Sequence, residues 1–462
     1  MNVRLPRAEG RMNAFQRVMY QWSELHPYNA VHAYRIARPL DSDRLYRSMD
    51  AVYSQNGIGY VEIGSDGRSY RYERDAHPPL EIIEAGHDAQ ATLREVFARE
   101  LNHAYERPRC RPLRISAVVS GAADHYLCVG YDHWAFDSVA ARLIVRRILD
   151  RYLDLGGPAE PKPFAHYPET YRRAFAPQMG LGRIGRGVIG ALGQVLCRRM
   201  VCRVPYTSVS HMPVGFALAS TQEGTVDGLR QFSRSLGATV HDVVLAALGR
   251  SLARHLPRRA TRDGTCPVGI GTIVDARGES AVDVSNTLGA FLSYYAVRFA
   301  AERDAGLSEV TRRVAALTGP IKVRRGYLDA VPKMKLFSAI WPYLSQRRRP
   351  YFVRLVLPMT AGVSNVVIRD PGIDSPGSPI VDYLRGAPTG PLLPLALTVT
   401  TFAGRMNLAI TYRQTGFTQS RLEDILASVQ EQLENLDGTR ITRPDVPQPS
   451  AKPRRRRRPA AA

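Results

Sequence analysis

A histidine followed four residues later by an aspartate, where an apolar run gives way to a helix start, is the pattern in this chain with the clearest chemical use. His133 and Asp137 stand in Asp132-His133-Trp134-Ala135-Phe136-Asp137-Ser138. A neutral imidazole at a strand end can take a proton from a hydroxyl or amine attacking a carbonyl, because its ordinary pKa of about 6.5 lies near working pH. An aspartate four residues on, facing back under the loop, can pair with a buried arginine and fix the loop's shape. On that division His133 does chemistry and Asp137 holds geometry. The spacing alone recurs widely, so the surroundings have to support it.

Those surroundings read as a strand-to-helix loop. Leu113 to Val119 and His125 to Tyr131 alternate as hairpin arms around Ser120 to Asp124, a connection of hairpin length and turn composition. Asp137 or Ser138 can then cap a helix from Val139 to Leu153. Upstream, a strand at Ala30–Ala37, a helix capped at Asp41, strands near Ile58–Ile63 and Tyr70–Tyr72, and a helix at Ala89–His103 complete a first mixed α/β unit. Pro158 to Pro177 reads as a linker. Helices at Thr225–Leu236, His241–His255 and Leu307–Leu317 then alternate with strands at Pro267–Val274, Gly289–Phe299, Val363–Ile368, Leu392–Thr401 and Met406–Tyr412, before a closing helix at Gln419–Leu436.

With 462 residues and 44% hydrophobic side chains, the chain can build two cores of about 200 residues each. The expected division is 1–157, carrying the histidine motif; 158–212, a basic glycine-rich linker; 213–438, a second α/β unit; and 439–462, a disordered basic tail. No run is long and apolar enough for a membrane span and no apolar signal core follows Met1, so a cytoplasmic location is expected. Five scattered cysteines without a CxxC pair suggest neither a disulfide framework nor a zinc site, and no metal is expected. The net charge is +21. Arg183, Arg186, Arg198, Arg199 and Arg203 lie in Leu181–Val204 without an acid, and nine Lys or Arg stand against Asp329 alone between Pro320 and Leu355. Such clustering points to an anionic partner or to a solvated basic face.

Other signals are weaker. Gly180 to Gly185 matches GxGxxG, but no strand precedes it, so a dinucleotide site is not expected. Leu181, Ile184, Val188, Leu192 and Val195 share one helical face that suits a membrane interface, although six glycines from Gly180 to Gly193 oppose a helix and a close-packed or flexible linker fits equally. Lys322 to Arg354 interleaves bases with aromatics, which suits a lipid or carrier-protein contact or an ordinary helix pair. The run Arg454 to Arg458 is short and accompanied by no recognition motif, so nucleic-acid binding is not expected. His125, His166 and His241 read as structural.

Taken together, the residues from Asp132 to Ser138 resemble the HHxxxDG signature of the CoA-dependent acyltransferase superfamily, which includes chloramphenicol acetyltransferase, wax ester synthases and nonribosomal peptide synthetase condensation domains. Phe15-Gln16 with Pro27-Tyr28-Asn29 resembles the opening of condensation-type members, and Leu40 to Leu45 their first helix start. Leu236 to Val244 is similar to the family's GaTvnDv segment, Val274 to Arg277 to its short strand ending in Arg, Asn286 to Gly289 to its Asn-x-x-Gly turn, and Ser364-Asn365 to its Ser-Asn pair. The DFGWG segment of plant BAHD enzymes is absent. The resemblance implies two chloramphenicol-acetyltransferase-like α/β sandwich domains in a pseudo-dimeric V, with His133 midway along a central tunnel that donor and acceptor enter from opposite ends. It also implies a structural ion pair between Asp137 and an arginine, for which Arg277 is the candidate.

Two positions depart from the signature. Asp132 replaces its first His, and a carboxylate there is expected to raise the pKa of His133. Ser138 replaces its final Gly. Asp132 and Ser138 are expected to support the site, with Trp134, Asn286, Ser364 and Asn365 as tunnel or substrate contacts. The expected activity is acyl transfer to an alcohol or amine. The donor would be acyl-CoA or the phosphopantetheine of an acyl carrier protein, with no permanently bound cofactor. An acidic carrier protein and a peripheral membrane contact through the basic segments are the expected partners of a monomer. A catalytically degenerate binding protein on the same fold is the alternative.

Overall fold

A computed structural model describes residues 9–440, apart from 74–77, 87, 122, 158–160, 167–174, 176–177, 197–200, 257–265, 303–304, 371, 391 and 437–438. The basic tail from 441, parts of the proline-rich linker, and Arg198 and Arg199 lie outside the described residues.

The motif strand, Asp124–Asp132, is buried along nearly its whole length and lies at the centre of a five-stranded sheet, between Asn29–Ile36 and Leu113–Ser120. Burial on both faces accounts for its continuous Tyr-Leu-Cys-Val-Gly-Tyr run. The arms turn at Gly121, whose φ of 73° is the left-handed region that glycine enters without steric cost. After the loop, Asp137 caps the helix Ser138–Leu153 by accepting the Ala140 N–H. Ile144, Val145, Ile148 and Leu149 recur at helical spacing and are fully buried.

A strand from the far end of the chain completes this sheet. Ile380–Gly386 pairs antiparallel with Asn29–Ile36, setting Leu384 against Ala33 and Gly386 against Val31. A second sheet of six strands runs in the order Leu292–Ala301, Cys266–Asp275, Ala361–Val367, Leu395–Phe402, Arg405–Arg413 and Val214–Ser220. Its face carries the helices Val240–His255, Leu307–Val323 and Gln419–Glu434. There Thr239 caps the first of them, in a reciprocal pair with Asp242, which is ion-paired to Lys322 at 2.8 Å. The core of the first half also takes in Leu288, Ala290, Met334 and Ile380 from the second, so the two halves are packed into each other and not only strung together.

Sequence periodicity placed most of these elements to within a few residues. It missed the strands Leu80–Glu84, Val214–Ser220 and Ile380–Gly386 and the helix Ala14–Ser23. The closing helix stops at Glu434, and Asn435–Leu436 pairs with Thr439–Arg440, so the first two residues of the expected tail form a short ladder.

Leu181–Leu196 is a helix despite its glycines. Gly187 explains why: a Cβ there would come within 2.9 Å of the Asp329 carbonyl and of Pro332, so only glycine permits that approach to the helix Ala330–Ile340. The opposite arc is solvent-facing, with Leu181, Ile189, Leu192 and Leu196 62–88% exposed. Among the described residues no helix is long and apolar enough to cross a membrane.

Close packing at Gly187 and open space around Gly185 give opposite expectations. Gly187→Ala is expected to lower the melting temperature, because backbone and a proline ring cannot yield. Gly185→Ala is expected to stabilise by up to about 1 kcal/mol through helix propensity. Thermal unfolding of both variants checks the pair.

Candidate active site

His133 follows the last residue of the central strand. Its backbone N–H donates to the Tyr28 carbonyl at 3.1 Å, tying the motif loop to the neighbouring strand's start. Its ring lies between those of Tyr28 and Tyr131, 5.6 and 5.7 Å away between centroids. Nδ1 is 3.0 Å from the Phe136 carbonyl oxygen. A carbonyl can only accept, so Nδ1 carries the proton and Nε2 is left with the lone pair. Burial pushes the pKa of His133 down, against the carbonyl bond and the Asp137 and Asp132 carboxylates that pull it up.

The Asp132 carboxylate does pull the imidazole's pKa up, as expected, but burial outweighs it and the net direction is down. That carboxylate is buried, but it accepts the Trp134 indole N–H at 2.8 Å and pairs with Arg107 at 2.6 Å. A neutralised carboxylate turned toward Arg107 and Trp134 pulls too weakly on the imidazole to offset its desolvation.

Asp137 meets four donor contacts. Oδ1 accepts the Ala140 N–H at 2.7 Å and Arg277 Nη2 at 3.0 Å; Oδ2 accepts the Phe291 N–H at 2.9 Å and the same Nη2 at 3.2 Å. The Asp137 N–H in turn donates to the Gly289 carbonyl. Arg277 is held from its other side, where Nη1 donates to the carbonyls of Val284 and Thr287, and its guanidinium lies 4.3 Å from the centre of the Phe291 ring. The anticipated pair thus joins the motif loop to the second half of the chain.

A cavity of about 370 Å³ opens beside His133, lined by residues of both halves, among them Ser138, Asp275, Ser364 and Asn365. A second, more apolar chamber of about 110 Å³ is lined by Phe15, Met19, Met334, Leu357 and Met359. Tyr28, Ile273, Leu292, Ser364, Ala387 and Pro388 line both, so the two chambers adjoin.

No protein-family model and no curated protein sequence matches the chain. Solved structures do. The nonribosomal peptide synthetase cyclization-docking bidomain EpoB from Sorangium cellulosum superposes with a TM-score of 0.65 at 15% identity, over 93% of this chain and 84% of that one. The condensation domain of the monacolin K polyketide synthase MokA gives 0.61 at 15% identity, over 93% and 98%. SgcC5 from Streptomyces globisporus gives 0.59 at 15% identity, over 93% and 99%. The chain has the condensation-domain fold.

Within the condensation-domain fold, not every residue singled out from the sequence reaches the cavity. Trp134 is fully buried, edge-on to Tyr20 and Tyr70; its indole serves Asp132 and lines neither chamber. Asn286 accepts from Arg147 at 2.7 Å and donates to the Pro163 carbonyl at 3.0 Å, fastening the 161–166 segment and also lying off the cavity. Ser364 and Asn365 do line it, and Asn365 Oδ1 has no hydrogen-bond partner among the described residues. Ser138 is the first helical residue, its hydroxyl 3.3 Å from both His32 Nε2 and Arg385 Nη1. His32 and Arg385 were missed. His32 had a readable signal, a lone imidazole in an otherwise apolar strand; Arg385 belongs to the unrecognised strand Ile380–Gly386.

Asp137→Asn replaces one acceptor oxygen by a donor that must face either Arg277 or a backbone N–H, and leaves the guanidinium buried without a counter-charge. The expected loss is about 3–5 kcal/mol of stability, read by denaturant unfolding; a loss below about 1 kcal/mol would show that the pair does not hold the halves together.

Proposed function

We propose that the protein is an acyltransferase in which His133 Nε2 is the general base. The observation that carries this reading is the fixed tautomer: the Phe136 carbonyl holds the proton on Nδ1, and the imidazole borders a cavity between the two halves. Nε2 removes the proton from an acceptor hydroxyl or amine as that group's oxygen or nitrogen bonds to the carbonyl carbon of a thioester. The tetrahedral oxyanion collapses by breaking the carbon–sulfur bond, and the departing thiolate takes the proton back from the imidazolium. An ester or amide and a free thiol result. Ser364 and Asn365, which border the cavity, are suited to donate to the oxyanion.

The donor is an acyl thioester on the phosphopantetheine of CoA or of a carrier protein. A carrier-bound donor is in keeping with the superposing structures, several of which are cyclization or condensation domains of synthetases. The adjoining apolar chamber suits the chain of the acyl group. A purely binding role would follow if Asp132 disabled the base, but its carboxylate is engaged by Arg107 and Trp134, and the Nδ1–H bond of His133 does not involve it.

His133→Ala is expected to retain the wild-type melting temperature to within a few degrees and to lose about 10²–10⁴-fold in acceptor-dependent thiol release. The substrates would be a series of saturated acyl-CoAs with an alcohol or amine, and undiminished release would refute the base. Because burial lowers the imidazole's pKa, the neutral base persists as pH falls. The acid limb of kcat/KM should therefore lie below about 6.5, and a limb above that value would contradict the environment described for His133.

The peripheral partner in this reading is an anionic lipid surface. The helix Leu181–Leu196, whose aliphatic arc is exposed, packs beside the turn at 326–329 and the helix Arg349–Val356, near which Arg324, Arg347 and Arg348 are exposed. Apolar side chains rimmed by bases are the composition of interfacial helices. The protein should sediment with phosphatidylglycerol vesicles and not with phosphatidylcholine vesicles, and Ile189→Glu with Leu192→Glu should abolish this; equal partition to both vesicle types, or none to either, would contradict it.

A further inference from the structure

Arg385 is a buried guanidinium, 4% exposed, with no carboxylate within ion-pair distance among the described residues. Its nearest hydrogen-bond partners are all neutral: the Thr400 hydroxyl at 3.0 Å, the Val399 carbonyl at 3.1 Å and the Ser138 hydroxyl at 3.3 Å. These use three of its five N–H groups. The ionisable groups around it are the Tyr383, Tyr131 and Tyr34 phenols, the His32 imidazole and a second cation, Arg142. Arg142 reaches the same residue, its Nε donating to the Ser138 carbonyl at 3.2 Å, and it too has no ion-pair partner among the described residues.

Burying Arg385 beside the half-buried Arg142, with no acid of its own, is unfavourable, and arginine does not escape by deprotonating. Both line the cavity that holds His133. Of the two carboxylates on that wall, Asp137 is matched by Arg277, and Asp275, which accepts the Arg277 backbone N–H at 2.9 Å, faces Arg142 across the cavity wall, so that Arg385 is the cation without a matching acid. The chamber is left with an excess of positive charge. Two further polar atoms on its walls, Thr398 Oγ1 and His32 Nδ1, have no hydrogen-bond partner among the described residues.

We propose that Arg385 and Arg142, bridged by Ser138, form a subsite for a carboxylate on the acceptor substrate. The acceptor class is thus a small hydroxy or amino carboxylic acid, its anionic end held at Ser138 and its nucleophile presented to His133. The inference rests on the acyl-transfer reading for what the bound molecule does, but not for its being bound. It also gives position 138 a purpose: glycine there would have no hydroxyl to orient Arg385. Arg385 and Arg142 act as specificity-determining residues and take no part in the proton transfer.

Calorimetric titration with mandelate and 3-hydroxybutyrate, each against its methyl ester, tests the subsite without turnover. The acids are expected to bind the wild-type protein about tenfold or more tighter than the esters, the worth of one charge-assisted contact. His133→Ala should keep that preference. Arg142→Gln should weaken it and Arg385→Gln abolish it; should Arg385→Gln fail to fold, Arg385→Lys, which keeps charge but loses the planar fork, should reduce it. Acid and ester binding alike, neither binding, or a preference that survives the arginine changes would overturn the proposal. A preference present in a protein that releases no thiol with any acceptor would uphold the subsite and defeat the acyltransferase reading, so the two fail separately.

Discussion

A carboxylate offered four donor contacts has little freedom in where it sits, and Asp137 is in that position. It caps the helix after the motif, receives a backbone N–H from Phe291 and binds Arg277 through both oxygens. Three of those contacts come from the second half of the chain. The loop that carries His133 therefore takes its shape from groups about 140 or more residues away in sequence. The imidazole tautomer depends on this arrangement in turn, because the carbonyl that fixes it belongs to Phe136, next to Asp137.

The two aspartates flanking the motif show how partners divide similar residues. Both are buried. Asp137 joins the halves, whereas Asp132 stays within the first, facing Arg107 and Trp134. Neither dominates the electrostatics of His133, which burial controls. The cations follow a similar logic. Arg277 and Arg107 have acids to neutralise them, and Arg385, buried more deeply than either, has hydroxyls and a carbonyl.

Much of the architecture was legible because it is local. The motif strand, its hairpin partner and the helix capped by Asp137 are adjacent in sequence, and their periodicity and turn residues speak for themselves. The pairing of Asp137 with Arg277 was legible through resemblance, since no local signal links residues so distant. Ile380–Gly386 was not legible: Asp382 and Arg385 interrupt its apolar pattern, and among the described residues its only strand partner is Asn29–Ile36. The misplacement of Trp134 and Asn286 has another cause. Residue type tells what a side chain can bind, but direction is set by packing, and in both cases packing turns the side chain from the cavity. In Leu181–Leu196 the glycines argued against a helix on propensity, yet Gly187 is what allows that helix to lie close to its neighbour.

The borrowed strand also bears on how the protein comes into being. During synthesis the first half leaves the ribosome with Asn29–Ile36 as an unpaired sheet edge, its backbone N–H and C=O groups facing solvent, until residues near 386 have emerged. For most of translation that half is a sticky template, open to any extended segment that passes. His32 and the wall of the cavity beside His133 are therefore among the last parts to be sealed. A chain cut short between the halves would lack both its partner core and the strand that protects its edge, so the cavity and the covering of that edge are completed by the same late event.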